Sequence, residues 1–345
     1  MDNAKIPGRL LAGDSNILAA SYDEFNSIPV DLNLGEQPSA PARTERQTIA
    51  QPVTVSGPGT FAGKSTTTIT FEPTEREGWW LDRTDQPDSL PIRVAIDNVW
   101  TTGAIVSNIV LRAGNPHNYV RMVEHIIALR MGLDLDNLMI KIDSGDPPLF
   151  DRGSLDLLEA LDKAGRKTVP GAINYVTVKE PVTLAWDRGQ FLTLAPPTGD
   201  DLKLTVDAAV NFPNAIGQQR IVFPINYETL QTGAEARTNT PYGKMLYCKT
   251  IGKIFADIRN LGYTDKNILI AKKNGYHNEP RLIHEGKSLE AAWHRGVLDL
   301  LAAIALIPDA RFVGEIISYK AGHRLDCDLV TQLYLNDLLI PAGNE

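Results

Sequence analysis

The sequence predicts an α+β protein made of two similar domains, and three observations support that fold class. β-Branched runs broken by glycine and proline come before helical patterns in the first half of the chain, and the same order starts again after Pro170. A weak internal echo accompanies this repeat, because PVTV with TTTITFEP in the first half resembles PVTL with FLTLAPP in the second. With 345 residues and 43% hydrophobic content, the chain can fill two cores.

We therefore divide the chain into three segments. Residues 1–46 are mixed in composition and end in GEQPSAPARTERQ, which is typical of an extension and linker with at most a short docked helix. Residues 47–172 are predicted to form the first α+β domain, and residues 173–345 the second.

The first domain should open with strands, predicted for TIAQPVTVSGPG, KSTTTITFEP and PIRVAIDNVW. A helix is expected from about Tyr119 to Met131, ended by Gly132, and LMIKID follows it as a strand. The run SLDLLEALDKAG predicts a second helix, with Ser154 as its N-cap and Gly165 as its stop.

The second domain repeats this order. Strands are predicted in VTVKEPVTLAWDRGQFLTLAPP, LKLTVDAAVNF, NILIAKK and RFVGEIISYKAG. Helices are predicted in KMLYCKTIGKIFADIRNLG, SLEAAWHRGVLDLLAAIAL and RLDCDLVTQLYLNDLL.

Composition argues against several classes of protein. A net charge of −8 disfavours a nucleic-acid-binding surface, which needs clustered lysine and arginine. Two cysteines, Cys248 and Cys327, are too few for a disulfide framework and wrongly spaced for a zinc–thiolate site. No leader pattern or apolar span is visible, so we expect a cytoplasmic protein without an integral membrane segment. We also expect a monomer.

The helix over EAAWHRGVLDLLAAIAL contains the most informative carboxylate. Asp299 lies among valine, leucine and isoleucine residues, where an unpaired carboxylate would be costly to bury. His294 and Arg295 precede it on the same helix, which raises the question of whether this helix holds a metal ion.

Two further histidines stand out. In MVEHIIAL, Glu124 and His125 are adjacent at a helix start, where one could ligate a metal while the other takes a proton from a bound water. His323 lies in SYKAGHRLD, in the turn after a strand, a place where histidine is often only a surface or capping residue.

These pieces, in this order, resemble the UDP-3-O-acyl-N-acetylglucosamine deacetylase family, the zinc amidases of lipid A synthesis. VSGPGTFAGK with TTTITFEP resembles the family's opening strands, and LDRTD resembles its next strand. MVEHIIALRMGLDLDNLMIKI resembles the helix with the Val-Glu-His motif, and PPLFDRGSLDLLEALDKAG the segment after it. EARTNT resembles its Ala-Arg-Thr motif, VLD its Leu-Asp, and VGEIISYKAGH its strand ending in Ser-Gly-His. The match covers about residues 48–335.

The resemblance implies two domains, each a sheet with helices packed on one side, and an active-site cleft between them. It implies zinc ligation by His125 and Asp299, with Glu124 as general base. Thr238 would lie near the developing oxyanion, and His323 would be the protonated histidine that serves the leaving amine. The implied substrate is an acylated amino-sugar or nucleotide-sugar lipid precursor.

The sequence departs from this pattern in the metal helix. The family's third ligand is a histidine four residues before the aspartate, and here that position is Arg295, whose guanidinium cannot ligate a cation. His294 is five residues before Asp299, about 140° around an α-helix, so it reaches the metal only where the helix is bulged. Gly296 stands in the place of a substrate-binding lysine. Ala303 replaces an aspartate that pairs with the catalytic histidine.

Three hypotheses remain open at this stage. The first is a zinc-dependent deacetylase with His125, Asp299 and His294 as ligands. The second is a metal-free, inactive paralogue that serves as a binding or regulatory protein, with Arg295 in the cation's place beside Asp299. The third is a pocket for an anionic ligand. We assign substrate binding to Arg295, as an anion clamp, and to Lys320.

Overall fold

The computed structural model describes residues 6–38, 42–61, 65–103, 107–199, 202–250, 262–308 and 310–343. The stretch up to residue 38 contains β1 Arg9–Ala12, α1 Ser15–Ser27 and β2 Leu32–Asn33. The carboxylate of Asp14 accepts the N–H groups of Asn16 and Ile17, which caps α1 at its first turn.

The first half of the chain then forms a five-stranded sheet and two smaller sheets. Its strands are β3 Glu45–Ile49, β4 Val53–Pro58, β5 Thr66–Glu72, β6 Trp79–Arg83, β7 Ile92–Arg93, β8 Val99–Thr101, β9 Val110–Arg112, β10 Tyr119–Val120, β11 Leu138–Ile142 and β12 Arg166–Ala172. Its helices are α2 Glu124–Ile127, α3 Leu129–Gly132 and α4 Leu155–Lys163. The large sheet has the order β4-β5-β11-β6-β7, while β3 pairs with β12 and β9 lies between β8 and β10.

The first predicted helix begins later than its sequence pattern suggests. Tyr119 and Val120 form β10, which pairs with β9, and the helix starts only at Glu124. Met122 has a φ of 54°, a left-handed conformation that cannot continue into a right-handed helix. The predicted helix end at Gly132 is confirmed, as are the strand of LMIKID and the helix that follows Ser154.

The second half of the chain is built around a seven-stranded sheet. The strands of this half of the chain are β13 Tyr175–Val178, β14 Val182–Ala185, β15 Phe191–Ala195, β16 Leu204–Asn211, β17 Gln218–Pro224, β18 Thr238–Pro241, β19 Ile268–Lys272, β20 Gly275–Tyr276, β21 Ile283–His284, β22 Lys287–Ser288, β23 Arg311–Phe312, β24 Gly314–Tyr319 and β25 Leu339–Pro341. Its helices are α5 Tyr227–Ala234, α6 Tyr242–Lys249, α7 Glu290–Trp293, a π-helix His294–Asp299, α8 Leu300–Ala305 and α9 His323–Leu335. The strand order of the seven-stranded sheet is β1-β14-β15-β24-β16-β17-β2.

Several elements of this half are missing from the sequence prediction, namely α5 and the strands β17, β18, β20, β21, β22 and β25. The predicted helix of KMLYCKTIGKIFADIRNLG starts as α6, but residues 251–261 lie outside the described part of the chain. The predicted helix of SLEAAWHRGVLDLLAAIAL is observed as α7, the π-helix and α8 in direct succession.

The N-terminal stretch is more than the expected linker with a docked helix. Strand β1 pairs in parallel with β14 at one edge of the seven-stranded sheet, and β2 pairs with β17 at the other edge. Between them, α1 buries Leu18, Phe25 and Ile28 in a cluster with Phe191 and Tyr319 of the sheet. The stretch therefore completes both edges of a sheet that belongs to the other end of the chain.

One hydrophobic core joins the two halves. Alternation along β5 and β11 buries Ile69 and Ile140, and the same core contains Leu298 next to Asp299 and Leu329 of α9. Within the described ranges, no helix is long and apolar enough to cross a membrane.

Candidate active site

The π-helix decides which side chain faces Asp299. In an α-helix, residues five apart point in different directions, whereas the i to i+5 turn of a π-helix aligns them. His294 and Asp299 are the first and last residues of the π-helix, and His294 Nδ1 lies 3.3 Å from Asp299 Oδ1. The bulge that His294 needs in order to reach the expected metal position is therefore present.

Close packing holds the bulged segment in place. A Cβ added to Gly296 would lie 2.7 Å from the ring of Phe223 on β17, so only glycine lets the π-helix approach the sheet this closely. On the neighbouring turn, Val297 packs against Gly233 of α5, where an added Cβ would lie 2.3 Å from the valine side chain. Gly296 thus has a steric reason to be glycine.

His125 and Thr238 lie against His294. The rings of His125 and His294 have centroids 5.6 Å apart and meet edge to face. The hydroxyl of Thr238, at the start of β18, lies 2.9 Å from His294 Nε2 and 3.5 Å from His125 Nε2. On its other side, His125 Nδ1 lies 3.3 Å from Ser154 Oγ, so the fully buried serine orients the ring.

Glu124 and His323 complete the cluster. The Glu124 carboxylate is buried and accepts the N–H of Ile109 at 2.9 Å. His323, the first residue of α9, has its Nε2 3.8 Å from Glu124 Oε1 and 3.4 Å from Asp299 Oδ1. Its Nδ1 makes no hydrogen bond within the described part of the chain, as expected where Ala303 replaces a carboxylate.

Burial and neighbouring charge set the protonation of these groups. Burial raises the pKa of Glu124 above its ordinary value, although His323 opposes the shift. Burial, together with His294, lowers the pKa of His125 to about 3, so its ring is neutral. Burial works against the charged form of His294, but Asp299 outweighs it and raises the pKa. The Asp299 pKa lies well below its usual range, because His323 and His294 outweigh its burial.

Arg295 lies at the edge of this cluster and is held mainly by partners outside it. Its side chain is 4% exposed, and its two terminal nitrogens donate to the buried carboxylate of Asp326 on α9, with Nη1 at 2.5 Å from Oδ2. Its Nε donates to Ser318 Oγ at 3.0 Å. The same guanidinium lies 3.7 Å from Asp299 Oδ2, beyond hydrogen-bond range. Arg295 thus forms a longer ion pair with Asp299, while its hydrogen bonds go to Asp326 and Ser318.

The two residues assigned to substrate binding already have partners within the protein. The fork of Arg295 is filled by Asp326, and Lys320 donates to both carboxylate oxygens of Glu24 on α1, at 3.1 and 2.9 Å. In the family pattern, the lysine comes directly after the histidine of the metal helix. Because His294 is the histidine that faces Asp299, Arg295 stands in the position of that lysine. Substrate binding by Arg295 and Lys320 stays a prediction.

The donors around Asp299 fit zinc in their chemistry. Two imidazoles and a carboxylate form a common zinc set, and Asp299 Oδ1 is a buried oxygen without a hydrogen bond in the described part of the chain. Nevertheless, no group of three or more histidine, cysteine, aspartate or glutamate side chains within the described ranges is gathered closely enough to hold a metal ion. The residue types suit the ion, while the full ligand geometry is not assembled.

Sequence reasoning missed three residues that support this site. Ser154 was expected to cap a helix, but its hydroxyl makes no capping hydrogen bond and faces His125 instead. Asp326 and Ser318 bind Arg295, and neither stood out in the sequence. A carboxylate three residues after His323 in an otherwise apolar helix face was the available signal.

The fold and the site together define a mixed α and β protein with a buried cluster of histidines and carboxylates. Residues 46–335 match the family model described as UDP-3-O-acyl N-acetylglycosamine deacetylase. The UDP-3-O-acyl-N-acetylglucosamine deacetylase of Leptospira biflexa is 27% identical over 287 residues, which cover 82% of this chain and 88% of the relative. The protein of the same name from Brucella ovis is 26% identical over 293 residues, covering 84% and 94%. The chain belongs to this deacetylase family of lipid A biosynthesis.

Proposed function

We propose that this protein is a zinc-dependent hydrolase that removes the N-acetyl group from an acylated, nucleotide-linked amino sugar during lipid A synthesis in the cytoplasm. The observation that carries the proposal is the π-helix, because it brings His294 against Asp299 and beside His125. Family membership supports the reaction and the substrate class. We also propose two domains, residues 47–172 and 173–345, with the site between them, since Glu124, His125 and Ser154 come from the first and Thr238, His294, Asp299 and His323 from the second.

His125, His294 and Asp299 would hold the zinc ion. When bound, zinc lowers the pKa of a water to about 7 and polarises an amide carbonyl. The neutral His125 ring is already in the form that ligates a metal, and Ser154 fixes its orientation.

Glu124 and His323 would move the protons. A buried carboxylate whose pKa is raised is a stronger base than an exposed one, so Glu124 is suited to accept the proton of the attacking water. His323 Nε2 faces the same space from α9 and would pass a proton to the leaving amine. The Thr238 hydroxyl would donate to the carbonyl oxygen as it gains negative charge.

The test combines metal content with acetate release. Purified protein loaded with zinc should release acetate from a UDP-linked, 3-O-acylated N-acetylglucosamine. Glu124→Ala should retain zinc and lose at least about 100-fold in rate. His125→Ala should lose both zinc and activity, and the exposed-site control Glu228→Ala should lose neither. Zinc-loaded wild-type protein that releases no acetate would refute the proposed function.

A further inference from the structure

Helix α6 presents an apolar surface to solvent. Tyr242, Leu246 and Tyr247 are 42%, 53% and 43% exposed, respectively, unusually high for large apolar side chains on one short helix. Tyr242 and Leu246 lie about 40° apart around the helix, so they form one ridge, with Tyr247 beside it.

The inner side of α6 is well anchored. Met245 is buried in a small apolar cluster that includes Phe61, Met122 and Tyr263. Since Met245 holds the helix against the protein, the exposed ridge is the outer side of a packed helix.

Exposed lysines lie on α6 and at the end of the neighbouring strand β19, although the protein is acidic. The whole chain has a net charge of −8. Lys244, Lys272 and Lys273 are exposed, and Lys272 Nζ lies 5.4 Å from the centre of the Tyr242 ring. Across the described ranges, no carboxylate is within ion-pair distance of these three lysines.

We propose that α6, together with Lys272 and Lys273, is a docking surface for an anionic phospholipid bilayer. Tyrosine and leucine beside lysine match an interface at which rings enter the headgroup region and ammonium groups meet lipid phosphates. Leu246 favours a lipid surface over nucleic acid, because an aliphatic side chain offers no ring on which a base can stack. This surface goes beyond the proposed function and does not depend on it, because no catalytic residue belongs to it.

Vesicle sedimentation without substrate tests the surface. Full-length wild-type protein should pellet with vesicles of phosphatidylglycerol and phosphatidylethanolamine, and remain in the supernatant with phosphatidylcholine vesicles. Each lysine near an anionic surface contributes about five-fold in binding, so Lys272→Gln with Lys273→Gln should weaken binding by about 25-fold. Leu246→Ser should also weaken it, and added salt should reduce wild-type binding.

Two matched controls make the test specific. Lys163→Gln with Lys167→Gln removes the same charge from another exposed region, and Leu335→Ser removes a leucine that is 73% exposed on α9. Both controls should bind anionic vesicles as wild type does. Equal weakening in the controls, equal binding to phosphatidylcholine, or tighter binding to a single-stranded oligonucleotide than to anionic vesicles would each overturn the proposal.

Discussion

The buried ion pair between Arg295 and Asp326 gives the sharpest prediction about stability. Both side chains are at most 4% exposed, and three hydrogen bonds tie the guanidinium to Asp326 and Ser318. Arg295→Met leaves the Asp326 carboxylate buried without its partner, which costs about 3–5 kcal/mol. For a chain of this length, the melting temperature should fall by ~4–7 °C.

A double-mutant cycle shows whether this cost comes from the pair itself. Combining Arg295→Met with Asp326→Leu replaces both charges by apolar groups, so most of the lost stability should return. As a control, Glu180→Gln removes a partner of the exposed pair with Arg9 and should cost less than about 1 kcal/mol. Denaturant unfolding gives the free energy of unfolding of Arg295→Met, of Asp326→Leu, of the double variant and of Glu180→Gln. The reasoning fails if Arg295→Met costs under about 1 kcal/mol, or if the double variant is as unstable as the two single losses added together.

Three further predictions concern the supports of the site and of the large sheet. Ser154→Ala should weaken zinc binding by about 10–100-fold in a chelator competition, because an outer partner orients the ligating ring. Phe25→Ala should cost about 3–5 kcal/mol in denaturant unfolding, since the ring is fully buried between α1 and the sheet. Although burial raises the pKa of Glu24, hydrogen bonds from Tyr319 and Lys320 outweigh it and lower that pKa. The contact therefore stabilises the fold at neutral pH and is lost as the pH falls, so the stability gap between wild type and Glu24→Gln should close below about pH 4.

Each of these predictions has a control and a contrary result. Ser154→Thr keeps a hydroxyl and should retain more zinc affinity than the alanine variant, so equal affinities in the wild type and both variants would contradict the role of Ser154. Leu335→Ala, on an exposed site, should change stability by less than about 0.5 kcal/mol, and a similarly small change for Phe25→Ala would count against the docked helix. If the difference in free energy of unfolding between wild type and Glu24→Gln stays constant from pH 7 to about pH 3, the charge of the Glu24 carboxylate is not involved.

The site residues were predictable individually, but their arrangement was not. Glu124 and His125 stood out as neighbours at a helix start, and Asp299 as a carboxylate among apolar residues. The orientation of His294 depends on a π-helix, in which one extra residue is inserted into the helical turn. Apolar residues repeat with a period of 3.6 on both sides of that insertion, so the local sequence pattern does not reveal it. Ser154 was missed as a partner of His125, since a serine before a helix is normally explained by capping.

The fold shows the same division between local and distant causes. Strong alternation in TTTITFE and LMIKI predicted β5 and β11, because each pattern repeats over five or more residues. Strands β1 and β2 have only four and two residues, and they exist because distant edges of a sheet accept them. No pattern in the sequence before residue 46 indicates that these residues pair with the edges of that sheet.

Strands β1 and β2 pair with β14 and β17, which come much later in the chain, and this has a consequence for synthesis of the protein. Residues 9–33 are made before the strands with which they pair, the last of which ends at Pro224, so their apolar side chains lack these partners while nearly two hundred further residues are made. At 5–20 residues per second, that delay lasts roughly 10–40 s. During this interval Leu18, Phe25 and Ile28 are available to chaperones and to neighbouring nascent chains. The seven-stranded sheet can therefore close only as a late step of synthesis.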